Sequence, residues 1–207
     1  MIGIIDYEAG NLTSVARALD YLGLKWIISS DPDVLAKCER IIFPGVGAAG
    51  SAMESLKKRG LDLFIKESFH QGVPILGICL GSQIILEESM EDGGTKTLGL
   101  IPGKVLRFPS PLRYGEEYLK VPHMGWNNVK WLKEHPICAN LDPEFEFYFV
   151  HSYYPVVEED LILGITFYGI NFVSAIEYRN LVAFQFHPEK SGRPGLEILK
   201  NFGTWIP

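Results

Sequence analysis

Hydrophobic positions in the first half of the chain switch between two periods. Ile2 to Ile5 is a short unbroken apolar run, the mark of a buried strand. Leu12, Val15, Ala16, Leu19 and Leu22 then recur at helical spacing, with Asn11 placed to cap the helix and Gly23 to end it. Trp26 to Ile28 forms the next strand, and Asp31-Pro32 is a cap followed by proline at the first helical position. Ile41 to Phe43 is a third strand, broken by "PGVGAAG". Helices are expected around 50–59 and 61–71, a fourth strand over Val73–Gly77 and a helix over Leu80–Glu88.

Strands alternating with helices predict an α/β fold with a mostly parallel central sheet flanked by helices. The second half reads differently. "GKVLRF", "NNVKWL", "FEFYFVHSYY", "LILGITFY", "FVSAIEY" and "LVAFQF" are strand-like runs with few helical ones between them, which predicts antiparallel additions to the sheet. Arg179-Asn180 reads as a hairpin turn, and a last helix over about 194–204 packs back on the core. No repeat, low-complexity tract or linker interrupts the chain, so a single domain over 1–207 is expected. Ligands of such sheets bind beyond the C-terminal ends of the strands. The glycine-rich breaks "DYEAGN", "PGVGAAG" and "GICLG" all fall there.

Composition narrows the function. With 207 residues, 47% hydrophobic and 21% charged, the chain has the make-up of an ordinary soluble protein. A net charge of −6 argues against a generally basic nucleic-acid face. Three cysteines with no C-x-x-C pair argue against a disulfide framework and structural zinc, and for a reducing compartment. No apolar run approaches the ~20 residues of a membrane span. The first residues lack a basic segment before a long apolar stretch, so no signal peptide is expected and a cytoplasmic location is. No metal or cofactor is implied.

Strand, then Gly77-Ile78-Cys79-Leu80-Gly81, then helix is the cysteine form of a nucleophile elbow. Small residues must flank so tight a turn. The helix N-terminus favours a thiolate, and the Leu80 N–H is placed to meet an oxyanion. Taken alone, Cys79 can equally be a small buried core residue. Cys38 and Cys138 lack such a setting and are expected to be structural.

A cysteine nucleophile needs a base and an orienter. Of the five histidines, His187 ends the apolar run "LVAFQF" and is followed by Pro188 and Glu189. The proline stops the strand, and the carboxylate two residues on can hold the imidazole. His151 also follows an apolar strand and reads equally as a site residue or a packed one. His70, in a helix, and His135, before a proline, are expected to face solvent. "PGVG", residues 44–47, can supply backbone N–H groups to an oxyanion hole or form an anion nest. It does not match a nucleotide P-loop.

Together, "GICLGSQ" and "FQFHPEK" resemble the class I glutamine amidotransferases. "IIDYEAGNL", "FPGVG", "VPHMGWN" and "YFVHSYY" narrow the resemblance to the glutaminase subunits of imidazole glycerol phosphate synthase, in histidine biosynthesis. The resemblance spans essentially the whole chain. It implies a glutaminase in which Cys79 attacks the side-chain amide of glutamine, with His187 as proton relay and Glu189 as orienter. The ammonia released would pass to a (β/α)₈-barrel cyclase subunit.

By the same resemblance, backbone at Val46 or Gly47 and at Leu80 meets the oxyanion. Gln83, Glu91, His151, Ser152 and Tyr153 hold the ends of glutamine, with Tyr148 nearby. Asn11, Trp126 and Lys190 face the partner; a buried core position is the alternative for Trp126. The sequence departs from the family pattern at Ala48-Ala49, where an aromatic is usual, at Glu8 and at Ser82. The alanines predict altered packing in the oxyanion loop. Rival readings are another amidotransferase of the class, a paralogous subunit feeding ammonia to a surface-sugar synthase, and a redox sensor or binding module built on the elbow cysteine.

Overall fold

The computed structural model describes residues 1–8 and 10–207, so Ala9 of the opening "DYEAGN" lies outside the described residues. The first half alternates as expected: β1 (Ile2–Ile5), α1 (Leu12–Tyr21), β2 (Trp26–Ser29), the single turn α2 (Pro32–Leu35), β3 (Arg40–Gly45), α3 (Ala49–Lys58), α4 (Leu61–His70), β4 (Ile75–Cys79) and α5 (Leu80–Ile84). The second half holds β5 (Glu88–Ser89), β6 (Thr95–Lys96), β7 (Lys104–Arg107), β8 (Leu112–Tyr114), β9 (Glu117–Leu119), β10 (His123–Asn128) and β11 (Lys130–Trp131). Then come β12 (Glu146–His151), β13 (Tyr153–Val156), β14 (Ile162–Tyr168), β15 (Ile170–Tyr178), β16 (Leu181–Phe184) and α6 (Gly192–Thr204).

One eight-stranded sheet runs in the order β11-β14-β15-β16-β4-β3-β1-β2. From β2 to β16 the neighbours are parallel, and from β16 to β11 they are antiparallel. Both faces of the parallel part are covered, which is why its strands read as unbroken apolar runs. Along β3, Ile41 and Phe43 pack on one side, with Leu56, Leu61 and Ile65 of α3 and α4. Ile42, between them, packs on the other, with Leu19 of α1 and Phe202 of α6.

The structure differs from the sequence reading in four places. Asn11 stands at the start of α1 but makes no side-chain cap. The helix after Cys79 ends at Ile84 rather than Glu88. The carbonyls of Ile84, Ile85 and Leu86 accept from Leu98, Leu100, Ile101 and Gly99, so a neighbouring loop takes the bonds that helix continuation would use. The fourth strand runs two residues further, to Cys79, because β3 and β16 pair with it on both sides. Only part of the second half extends the main sheet. β10–β12, β13-β7-β5-β6 and the hairpin β8–β9 form smaller sheets of their own.

The register brings three strand ends together. Gly45 lies opposite Cys79 on one side of β4, and Phe184, which leads to His187, lies opposite Ile78 on the other. Helix α5 leaves β4 lying directly against β3: a Cβ on Gly81 would stand 2.0 Å from the Phe43 carbonyl oxygen. Backbone against backbone leaves no soft side chain to give way. Gly81→Ala is therefore expected to cost on the order of 3 kcal/mol of unfolding free energy. Urea denaturation of the full chain checks it.

Candidate active site

Cys79 is the last residue of β4 and has φ 53°, ψ −108°. A non-glycine residue there stores ~1–3 kcal/mol of strain, held by its surroundings. Gly77 and Gly81 allow the turn, since a Cβ on either would press on backbone at 3.0 Å or less. Ser82 Oγ donates to the Cys79 carbonyl at 2.7 Å and fixes the turn from the helix side. This is the elbow expected from "GICLG". With only five residues, α5 brings little macrodipole; the unpaired N–H groups of its first turn are what it offers the thiol.

His187 follows β16. Its N–H donates to the Tyr148 carbonyl at 2.9 Å, and Ser191 Oγ donates to its carbonyl at 2.6 Å. Nδ1 lies 2.8 Å from Glu189 Oε1, with both side chains nearly sealed from solvent. A carboxylate only accepts, so the proton sits on Nδ1 and Nε2 is directed away from it. Nε2 makes no aligned hydrogen bond among the described residues, and Cys79 is the thiol whose charge it feels. Burial opposes the imidazolium, but hydrogen-bonding contact with Cys79 and Glu189, together with their charges, outweighs it and raises the His187 pKa to about 10. The turn that carries Glu189 packs on α6, where a Cβ on Gly195 would come within 1.9 Å of the Pro188 carbonyl oxygen.

Beside the thiol is a cavity of about 450 Å³. The residues expected to meet the oxyanion, Val46, Gly47 and Leu80, all line it. So do Gln83, Glu91, His151, Ser152 and Tyr153, expected around glutamine. Ala49, at the start of α3, is fully buried and donates its N–H to Glu91 Oε2 at 2.7 Å. Ala49 of "PGVGAAG" thus ties the end of this loop to the cleft wall through Glu91.

Tyr148 does not line the cavity. It lies outside it with Trp126 and Lys190: the Trp126 ring is 6.0 Å from its own, and Lys190 Nζ stands 6.0 Å over it. Trp126 is 54% exposed, so it is not a core aromatic. Asn11 is half-buried at the head of α1, which packs against the Pro188–Lys190 turn. His70 faces solvent as expected. His135 does not: it is 10% exposed, with its Nδ1 accepting from Ile137 N and its ring against Trp205. Cys38 is buried, Cys138 is half-buried, and all three thiols are free.

Three buried residues at the site carried no assigned role in the sequence. Gln185 is fully buried, and its Nε2 donates to Cys79 Sγ at 3.8 Å. Its place as the one polar residue in "LVAFQF" was the available signal. The Tyr7 hydroxyl is buried without a partner among the described residues, 2.1 Å from where a Cβ on Gly45 would stand. His123 lies opposite His151 across β10 and β12, with Nδ1 3.1 Å from His151 Nε2.

A thiol at a strained strand end, an imidazole beside it and a carboxylate behind the imidazole come together at the strand ends of a mixed α/β sheet. Residues 3–205 match the model of the family described as glutamine amidotransferase class-I, and the chain belongs to that family. Among its relatives, the imidazole glycerol phosphate synthase subunit HisH of Maridesulfovibrio salexigens is 51% identical over 203 residues, covering 98% of this chain and 95% of that protein. HisH of Geobacillus sp. (strain WCH70) is 45% identical over 207 residues, covering 100% and 97%. The solved structure of PurLQS from Thermotoga maritima shares the fold with a TM-score of 0.74 at 18% identity, covering 97% of this chain and 96% of that one. Among the described residues no helix is long and apolar enough to cross a membrane.

Burial lowers the pKa of His123 to about 4 and of His151 to about 3, from 6.5. The folded state therefore binds fewer protons than the unfolded chain below pH 6.5, and stability rises with pH there. It is fully present above about 6.5 and falls as pH drops toward 4 and 3. Removing one titrating site, as in His123→Phe, is expected to flatten the loss by up to ~1.4 kcal/mol per pH unit between those limits. Urea unfolding of wild type and variant across this range checks it.

Proposed function

We propose that this chain is the glutaminase subunit of an imidazole glycerol phosphate synthase, and that Cys79, His187 and Glu189 are its catalytic triad. The observation that carries the reading is the Glu189–His187 pair, 2.8 Å apart, directing Nε2 to the elbow thiol at the edge of the cleft. The Cys79 thiolate attacks Cδ of the glutamine side chain, and the carbonyl electrons move to oxygen. The Leu80 N–H and the Val46–Gly47 backbone meet that oxyanion. His187 gives its Nε2 proton to the leaving nitrogen, and ammonia departs as the glutamyl thioester forms. Water then attacks the thioester, with His187 taking its proton. Glutamate leaves and the thiol is restored.

The cleft supplies groups for the amino-acid ends of glutamine. Glu91 offers a carboxylate to the α-ammonium, and the Ser152–Tyr153 segment offers polar groups to the α-carboxylate. The exposed cluster of Trp126, Tyr148 and Lys190 lies at the back of the His187 turn, with the Tyr148 ring 6.5 Å from the imidazole. A cyclase seated there would cover an aromatic surface and stand next to the point where ammonia is released. We assign the heterodimer and its lyase activity to this pairing, and the cytoplasm as the place where three free thiols persist.

Purified with its cyclase, the subunit is expected to release glutamate from glutamine, and to do so feebly alone. Cys79→Ala should lower glutaminase turnover on the order of 10⁴-fold or more, while the cyclase continues to use added ammonia. Full glutaminase turnover by the alanine variant would rule the mechanism out. Trp126→Ala should weaken cyclase binding by about 2 kcal/mol, roughly 30-fold in Kd, without changing the melting temperature of the subunit. Calorimetric titration of the two subunits measures it.

A further inference from the structure

We propose that His123, His151 and Gln185 are positioning residues, completing one continuous hydrogen-bond chain from β10, behind Trp126, to the Cys79 sulfur, with the Tyr153 carbonyl accepting from both sides at its centre. Its functional meaning rests on the glutaminase reading; its geometry does not.

The direction of each bond follows from which atoms can donate. His151 Nδ1 lies 2.7 Å from the Tyr153 carbonyl oxygen, which only accepts, so the proton is on Nδ1. His151 is neutral in its buried setting, so its Nε2 is bare and accepts from His123 Nδ1 at 3.1 Å. That leaves His123 Nε2 bare in turn, and Asn127 Nδ2 donates to it at 3.3 Å. The second hydrogen of that amide goes to the Phe167 carbonyl at 2.9 Å. On the other side, the Tyr153 oxygen also accepts from Gln83 Nε2 at 3.0 Å. The second hydrogen of Gln83 Nε2 goes to Gln185 Oε1 at 2.8 Å, and Gln185 Nε2 donates to Cys79 Sγ at 3.8 Å.

Asn127 and Gln83 thus spend both amide hydrogens, and Tyr153 uses both carbonyl lone pairs. A buried network satisfied in this way has one arrangement, and breaking one member strands its neighbours. His123 is clamped as well, its ring stacked 4.8 Å from Phe149 and 4.0 Å from Tyr168. β10 is also the strand that presents Trp126. A shift of that strand would reach the Tyr153 carbonyl in the cleft wall, then the Gln83 amide, then the sulfur. Spatial continuity alone does not demonstrate coupling, so the test must read coupling itself.

Side-chain ¹⁵N spectra of the full chain at neutral pH are expected to show both histidines neutral, with the proton on Nδ1. A proton on Nε2 of either would break the chain and overturn the proposal. Second, His123→Phe keeps the ring stack and removes both hydrogen bonds. In the complex with the cyclase, His123→Phe and Gln185→Leu should each lower kcat/KM about tenfold, and the double variant should be no worse than the poorer single. His123→Asn, whose amide nitrogen can stand where Nδ1 stands, should recover most of the loss. Alkylation of Cys79 by iodoacetamide should slow in parallel in the Phe and Leu variants. Losses that multiply in the double variant, or a His123→Phe complex within roughly twofold of wild type, would overturn the proposal. If the wild-type complex releases no glutamate, the glutaminase reading fails by itself, and the spectra and alkylation rates still decide whether the chain exists.

Discussion

The close approach of α5 to β3 is the constraint on which the site depends. With the Phe43 carbonyl oxygen 2.0 Å from the place of a Gly81 Cβ, the helix lies on the strand with no side chain between them. So close a helix leaves its strand through a very tight turn, and Cys79 takes up the strain at φ 53°. The thiol then stands at the sheet's end, at the margin of the core cluster that holds Ile78 and Phe184. His187 is placed by the same device. Gly195 lets α6 press on the Pro188 carbonyl, which holds the turn carrying Glu189 under His187. Two contacts that only glycine permits, far apart in sequence, set the Cys79 thiol and the His187 imidazole at adjacent strand ends.

The electrostatics follow from how little water reaches this place. Cys79 is 7% exposed, and the His187 and Glu189 side chains are at 2% and 1%. Charges there interact strongly because little screens them, and each is costly unless answered by another. Burial and the Cys79 charge together push the Tyr7 hydroxyl well above the usual tyrosine range, so it stays a neutral donor. The buried polar side-chain atoms left without partners among the described residues are Tyr7 Oη, His187 Nε2 and Glu189 Oε2. Buried polar groups are seldom left so. Tyr7 Oη and His187 Nε2 lie close enough to the thiol to feel its charge, and Glu189 Oε2 is sealed behind the imidazole.

The parallel half of the fold was legible because its strands are covered on both sides and its helices obey one period. The elbow was legible because Gly77 and Gly81 leave few alternatives around Cys79. His187 and Glu189 were legible through Pro188, which marks the strand end. What escaped depends on contacts remote in sequence. The helix after Cys79 stops at Ile84 because residues 98–101 take its carbonyls, and no local signal announces that. The small sheets β10–β12 and β7–β13 alternate as strands of the main sheet would, so the pattern could not say which sheet they join. His135 sits before a proline in a polar loop, yet Trp205 from the chain's other end covers it. Gln185 is the one polar residue of an apolar run and His123 stands in "VPHMGWN" with no assigned role; only the fold places them beside Cys79 and His151.

Ala49 stops being an anomaly once Glu91 is considered. Ala49 is fully buried in the cluster that contains Tyr7, so a larger side chain there would displace core residues. Its N–H opens α3, a helix of 10 residues, and donates to the Glu91 carboxylate at 2.7 Å. Burial raises the Glu91 pKa, and the hydrogen bond from Ala49 works against that rise. The start of α3 therefore helps to hold the negative charge in the cleft wall, and that charge in turn holds the loop beginning at Pro44. A ligand ammonium entering the cleft meets a carboxylate already engaged with this loop. Ala49 N–H engages only Oε2, and a carboxylate has further acceptor sites, so one side chain can hold the loop and still face the cleft.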